Sequence, residues 1–140
     1  MAQVKALDRF FDTNILIYLL SADDFKAGRS ERILALGGVI SVQVLNEFVA
    51  VASRKKLMTY DEIDAFLTSI RSILSVRSMT VATHELGLDI ARRHGFSIYD
   101  ALIIAAALEA GCECLYTEDL QHEQVINRRL TIINPFRERS

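Results

Sequence analysis

Arg9-Phe10-Phe11-Asp12-Thr13-Asn14-Ile15-Leu16 runs from a strand into a helix with an acid at the joint. Phe10 and Phe11 form the apolar part of a short strand over residues 9–12, and Ile15, Leu16, Leu19 and Leu20 then follow at helical spacing. Downstream, a helix is predicted over residues 25–36, closed by Gly37-Gly38, and residues 39–42 read as a buried strand. Residues 43–56 place Val44, Leu45, Phe48, Val49 and Ala52 on one helical stripe, with Arg54, Lys55 and Lys56 in the last turn, where the helix dipole favours cations.

Thr59 and Glu62 form a capping box ahead of Ile63, Phe66, Leu67, Ile70, Ile73 and Leu74. This amphipathic helix is core by default, and its stripe is also a candidate contact for a second copy or another protein. A strand over 75–80, a helix over 81–94 ending at Gly95, and a helix over 97–110 that is apolar nearly all round come next. Strands at 113–117 and 130–134 complete an alternation that predicts an α/β fold: one domain, 1–140, with a central parallel sheet of four to five short strands and helices on both faces. In such sheets ligands bind beyond the carboxyl ends of the strands, at the point where strand order reverses.

The 140 residues suffice for one domain with a real core. With 51% hydrophobic and 24% charged residues, the composition excludes a disordered or low-complexity chain. The longest apolar run, residues 101–108, is far short of the roughly 20 needed to cross a bilayer, and residues 1–10 lack a secretory apolar core. The expected compartment is the cytoplasm. Cys112 and Cys114 point to one face of a strand and cannot form a relaxed disulfide. Their spacing is also too tight for a zinc knuckle, and His84, His94 and His122 lack zinc-ligand spacing. Sixteen basic against eighteen acidic residues give a net charge of −2, so nucleic-acid binding must rest on local patches.

Four acids border sequence that should be buried. Asp12 follows Phe10-Phe11, Glu47 shares a helical stripe with Val44, Phe48 and Val51, Asp100 opens the apolar run, and Asp119 follows Leu115-Tyr116-Thr117. Asp12, Asp100 and Asp119 each have an alternative reading as helix or turn caps, Asp100 through Ser97-x-x-Asp100. Read jointly, two acids follow strands and two sit on helices that a parallel sheet can bring to the same crevice. Four ionised carboxylates within roughly 5–8 Å would repel by ~2–3 kcal/mol per pair at an effective dielectric near 20. Over six pairs that rivals a domain's stability of about 5–15 kcal/mol. Such a cluster holds protons or attracts a hard divalent cation, and an all-oxygen donor set selects Mg2+ or Mn2+. Hydrolysis at phosphorus is the matching chemistry.

Asp12-Thr13-Asn14 after a short strand, Glu47 inside an apolar helix, Tyr99-Asp100-Ala101, and Thr117-Glu118-Asp119 after a late strand together resemble the PIN-domain nucleases. More narrowly, the chain resembles VapC-type toxins of toxin-antitoxin pairs, from Phe10 to about Phe136. The resemblance implies that Asp12, Glu47, Asp100 and Asp119 bind one or two Mg2+ or Mn2+ ions, with Asn14 and Thr117 supporting them through hydrogen bonds. It implies an endoribonuclease in which water, its pKa lowered by the ion, attacks a phosphodiester and leaves a 3′-hydroxyl and a 5′-phosphate. It further implies an RNA substrate and a cognate antitoxin; a homodimer is expected because a short chain with much apolar surface often needs a partner to cover it. Gln121 stands where many relatives have a further acid and Asn46 where serine is frequent, compatible with one tight ion and a second arriving with substrate. Arg54, Lys55, Lys56, Arg92, Arg93, Arg128 and Arg129 are candidate phosphate contacts or, alternatively, helix-end surface charges.

Two further readings compete. In one, the fold is a non-catalytic module for RNA or protein whose acids are caps. In the other, Asp12 is the nucleophile of a phosphatase, but Asn14 stands where haloacid-dehalogenase-like phosphatases carry a second aspartate.

Overall fold

A computed structural model describes residues 5–137; Met1 to Val4 and Glu138 to Ser140, the ends of the expected 1–140 domain, lie outside them. Strand β1 (Arg9–Phe11) is the middle of the molecule. Consecutive strand residues face opposite sides of a sheet, and Phe10 and Phe11 are both fully buried, so both faces of β1 are covered. The strands β2 (Gly38–Ser41) and β3 (Leu74–Arg77) lie to one side; β4 (Cys114–Tyr116), β6 (Leu130–Ile133) and β5 (Val125–Ile126) lie to the other. The order is β3-β2-β1-β4-β6-β5, and every pairing is parallel except the antiparallel β5–β6. Strand order therefore reverses between β1 and β4, where a crevice opens at the carboxyl ends.

The parallel α/β expectation holds, with five parallel strands and β5 added at one edge. β5 was not foreseen because its two residues carry no period. It is fixed instead by the turn at Asn127 and Arg128, both at positive φ (52° and 59°), which folds it back on β6.

Six helices link the strands. They are α1 (Thr13–Ile17), α2 (Asp24–Ala35), α3 (Val42–Arg54), α4 (Tyr60–Ile73), α5 (Val81–His94) and α6 (Ile98–Glu109). The single helix expected through Leu20 divides in two, α1 passing into a 3-10 turn at Tyr18–Leu20. The Thr59–Glu62 capping box forms, with Glu62 N–H donating to Thr59 Oγ1 at 3.2 Å and Thr59 N–H donating to Glu62 Oε1 at 2.8 Å. The stripe of α4 turns inward. Ile63 and Ile70 are buried and Phe66 stacks on Phe48 with centroids 4.8 Å apart, so most of it is core. Helix α6 carries seven buried residues from Ala101 to Leu108, and Gly87 lets α5 approach it; a Cβ there would stand 2.6 Å from Leu102 Cδ2.

One glycine joins β2 to β1 without room for a side chain. A Cβ on Gly38 would overlap the ring of Phe11 and stand 2.9 Å from the Arg9 carbonyl oxygen, a backbone atom that cannot turn aside. Gly38→Ala is expected to cost about 1–3 kcal/mol, lowering the melting temperature by several degrees in calorimetry. An unchanged melting temperature would show that β1 and β2 separate freely.

Candidate functional site

Asp12 stands one residue beyond β1 and its carboxylate is 6% exposed. A carboxylate so placed must find hydrogen bonds. Oδ1 accepts from Thr13 N–H at 2.7 Å, which makes Asp12 the N-cap of α1, and Oδ2 accepts from Thr117 Oγ1 at 2.7 Å. Thr117 follows β4, is fully buried, and also uses Oγ1 to accept from Asp119 N–H at 3.1 Å. One hydroxyl thus joins the ends of two adjacent parallel strands.

The other acids are held by short polar contacts. Glu47, half-buried on α3, accepts from Thr13 Oγ1 at 2.6 Å and from Gln43 Nε2 at 3.2 Å. Gln43 also donates to the Tyr99 carbonyl at 3.0 Å, tying α3 to the start of α6. Asn14 Nδ2 donates to Asp119 Oδ2 at 2.9 Å, and lies 3.5 Å from Thr117 Oγ1. Ser97 Oγ accepts from Asp100 N–H at 3.1 Å, which caps α6 and leaves Asp100 on the wall of the crevice. Asp12, Glu47, Asp100 and Asp119 line a single cleft of about 460 Å³, together with Asn14, Tyr18, Arg54 and Lys55.

Capping, given as an alternative in the sequence, holds for Asp12, whose carboxylate caps α1, and the same residue lines the cleft with the other three acids. Of the seven candidate cations, Arg54 and Lys55 reach this cleft. Arg92 and Arg93 pair with Asp89, and Arg129 donates to the Leu108 carbonyl, all on the surface near α5 and α6.

Burial pushes the Asp12 carboxyl up to about 6, against the bonds from Thr117 and Thr13 and with added repulsion from Asp119 and Glu47. Asp100 is also raised, by burial first and then by the charges of Asp119 and Glu47, with the Ser97 hydroxyl opposing. Among the described residues no Lys, Arg or His forms an ion pair with any of the four acids. Glu118, one residue from Asp119, behaves differently. Burial pushes it up, but bonds from Lys26 and the Tyr18 hydroxyl outweigh that and hold it below the usual range. Its Oε2 lies 2.9 Å from Lys26 Nζ, and the Tyr18 hydroxyl donates to Oε1.

Thr13, Gln43 and Glu118 were assigned no role from sequence. Gln43 sits one helical turn before Glu47, a spacing that could have flagged it.

The donor set, all oxygen and anionic with no ion pair to any of the four acids among the described residues, suits a hard divalent ion. The buried, unbonded Asn14 Oδ1 and Gln43 Oε1 add neutral oxygens beside the acids. Among the described residues no three His, Cys, Asp or Glu groups already stand in coordinating geometry; Glu47 is bonded to Thr13 and Asp119 to Asn14.

A parallel α/β sheet with a carboxylate-lined cleft at its switch point defines the class of open α/β domains that bind ligands beyond the carboxyl ends of their strands. Residues 9–127 match the family model described as PIN domain, and the chain belongs to that family. No curated protein sequence matches it. In fold it is similar to a toxin-antitoxin complex from Klebsiella pneumoniae (21% identity, TM-score 0.68, covering 91% of this chain and 97% of that one). It is also similar to VapC20 of Mycobacterium tuberculosis, a sarcin-ricin loop cleaving toxin (23%, 0.65, 79% and 91%). A third is VapBC2 of Rickettsia felis bound to a DNA fragment from its promoter (19%, 0.66, 90% and 98%).

The raised Asp12 carboxyl sets a direction for stability. Between its unfolded value of 3.8 and about 6, the folded chain holds a proton that the unfolded chain has lost, so stability falls as pH rises through this window. Above pH 6 the ionised group costs on the order of 3 kcal/mol. Asp12→Asn is therefore expected to raise the melting temperature in chelator at pH 8, with the gain shrinking toward pH 4. Calorimetry at both pH values checks this; an equal shift at the two would contradict it.

Proposed function

We propose that the chain is a Mg2+- or Mn2+-dependent endoribonuclease and the toxin of a type II toxin-antitoxin pair. The observation that carries the reading is the gathering of Asp12, Glu47, Asp100 and Asp119 in one cleft, none of them in an ion pair among the described residues. These four would hold the ion, with Asn14 and Thr117 as supports. When bound, the ion lowers the pKa of a nucleophilic water and neutralises charge on the phosphate.

The chain's own residues prepare that site. Thr117 fixes the Asp12 carboxylate, Thr13 and Gln43 orient Glu47, and Asn14 holds Asp119. Asp100, raised by burial and by its anionic neighbours, is a group whose ionised form an arriving cation would favour. Arg54 and Lys55, at the end of the helix that carries Glu47, line the same cleft and suit a substrate phosphate. The fold likeness to VapC20, a toxin that cleaves the sarcin-ricin loop, supports RNA as substrate. Likeness to two toxin-antitoxin assemblies supports an antitoxin as partner. We extend the reading to a homodimer in the cytoplasm; Val81 and Leu88, exposed two turns apart on α5, are the apolar pair a self-contact would cover. No helix among the described residues is long and apolar enough to cross a membrane.

The test is cleavage of a mixed RNA pool with Mg2+, Mn2+ or chelator, followed by sequencing of 5′ ends. Metal-dependent products with 5′-phosphates are expected, and Asp12→Asn or Asp100→Asn should each reduce the rate by at least about a hundredfold. Cleavage that persists in chelator, or is unchanged in both variants, would refute the reading. Thr117→Val keeps the shape but removes the bond to Asp12, and should weaken metal affinity by about 10–100-fold in titration calorimetry. Wild-type affinity in that variant would show that the hydroxyl does not position Asp12.

A further inference from the structure

The acidic cleft has a neighbour at Arg54. Arg54 also lines a second cleft, of about 500 Å³, whose other walls include Lys56, Thr59, Tyr60 and Glu62. The two hollows adjoin at this one residue, at the end of α3 where the chain enters the α3–α4 turn. Three consecutive cations line them, Arg54 and Lys55 on the acidic side and Lys56 on the other. Among the described residues none of the three makes an ion pair or side-chain hydrogen bond, whereas Lys26, Arg92, Arg93 and Arg129 are all engaged. Lys56 sits at φ 54°, which fixes the turn in which the chain reverses toward α4. Tyr60 opens α4 with its ring 72% exposed. Glu62, the one acid on this wall, is engaged by Thr59, whose backbone N–H donates to it.

Free cations beside an exposed aromatic, in a groove adjoining the acidic cleft, match what a single nucleic-acid strand requires. Cations meet successive phosphates and the ring supplies a face for a base. We propose that the α3–α4 turn is the extension subsite for single-stranded RNA, with Lys56 contacting a phosphate and Tyr60 stacking on a base downstream or upstream of the scissile bond. The proposal rests on the nuclease reading for the direction of the groove. Seven residues of α3 separate Glu47 from Arg54, a rise of ~10 Å, or about three stacked nucleotides. A trinucleotide centred on the acids therefore falls short of Tyr60, and a dodecamer spans it.

The chain has no tryptophan, so Y60W places a single indole in the groove. In an Asp100→Asn background with chelator, titration with 5′-labelled dodecauridylate should quench Y60W emission in step with the rise in oligonucleotide anisotropy, and trinucleotide should leave it unchanged. Tyr60→Ala and Lys56→Glu should each weaken dodecamer binding by about tenfold, with circular dichroism confirming the fold. A dodecamer that binds without changing Y60W emission, a dodecamer that does not bind, or equal response to both lengths would each overturn the subsite. If the wild-type chain cleaves no RNA while the dodecamer still quenches Y60W, the nuclease reading fails and the binding groove stands.

Discussion

A nearly buried carboxylate with no ion pair among the described residues is the constraint on which the site depends. Asp12 can be tolerated there because two donors reach it, the first amide of α1 and the hydroxyl of Thr117, yet these do not cancel the cost of burial. The arrangement needs β1 and β4 to be neighbours in register, since one donor comes from each strand end. That adjacency is set by packing directly behind the cleft, where Phe10, Phe11 and Leu115 are fully buried and Phe11 stacks with Tyr116 at 5.4 Å. The hydrophobic core thus stabilises an electrostatic conflict at its edge. Stability is given up locally in a form that a doubly charged guest can return.

The same logic explains why the acids come from four separate elements. At a topological switch point the chain ends of two strands open away from each other, and the helices that follow approach from either side. Asp12 and Asp119 arrive on strand ends, Glu47 and Asp100 on α3 and α6. Gln43 bridges the two helices through the Tyr99 carbonyl, so the distance between their acids is fixed by a hydrogen bond as well as by packing. Around this fixed ring the cleft continues along α3, where charge changes sign from Glu47 to Arg54 within two helical turns.

Most of the fold was readable because burial leaves periods in sequence. The Val44–Phe48–Ala52 stripe, the Thr59–Glu62 box and the closing Gly95 each specify a local structure by themselves. Contacts between distant residues leave no such period. Nothing in Tyr18, Lys26 or Glu118 announces that they meet, and β5 exists only because β6 is beside it. Inward-facing Glu47 was legible from its stripe, but its partner Thr13 was hidden inside a motif noticed only for its neighbours, Asp12 and Asn14. The candidate cations could not be sorted from sequence either. Arg92 and Arg54 both end helices, and only the packing of those helices separates one tied to Asp89 from one facing the cleft.

The Tyr18–Lys26–Glu118 cluster bears on how the cleft can respond to a ligand. Lys26 Nζ also lies 4.5 Å from the Tyr18 ring and 5.7 Å from that of Phe136, which meets Tyr18 edge-on, so the residue before Asp119 is moored to α2 and to the far end of the described chain. The backbone carrying Asp119 is therefore clamped beside the cleft, which Tyr18 itself lines. Whatever adjustment a guest ion demands must come from rotation about side-chain bonds, with Glu47 leaving Thr13 and Asp119 leaving Asn14. A jaw hinged at its teeth and not at its bone closes with little reorganisation of the scaffold, and it can release its contents as readily.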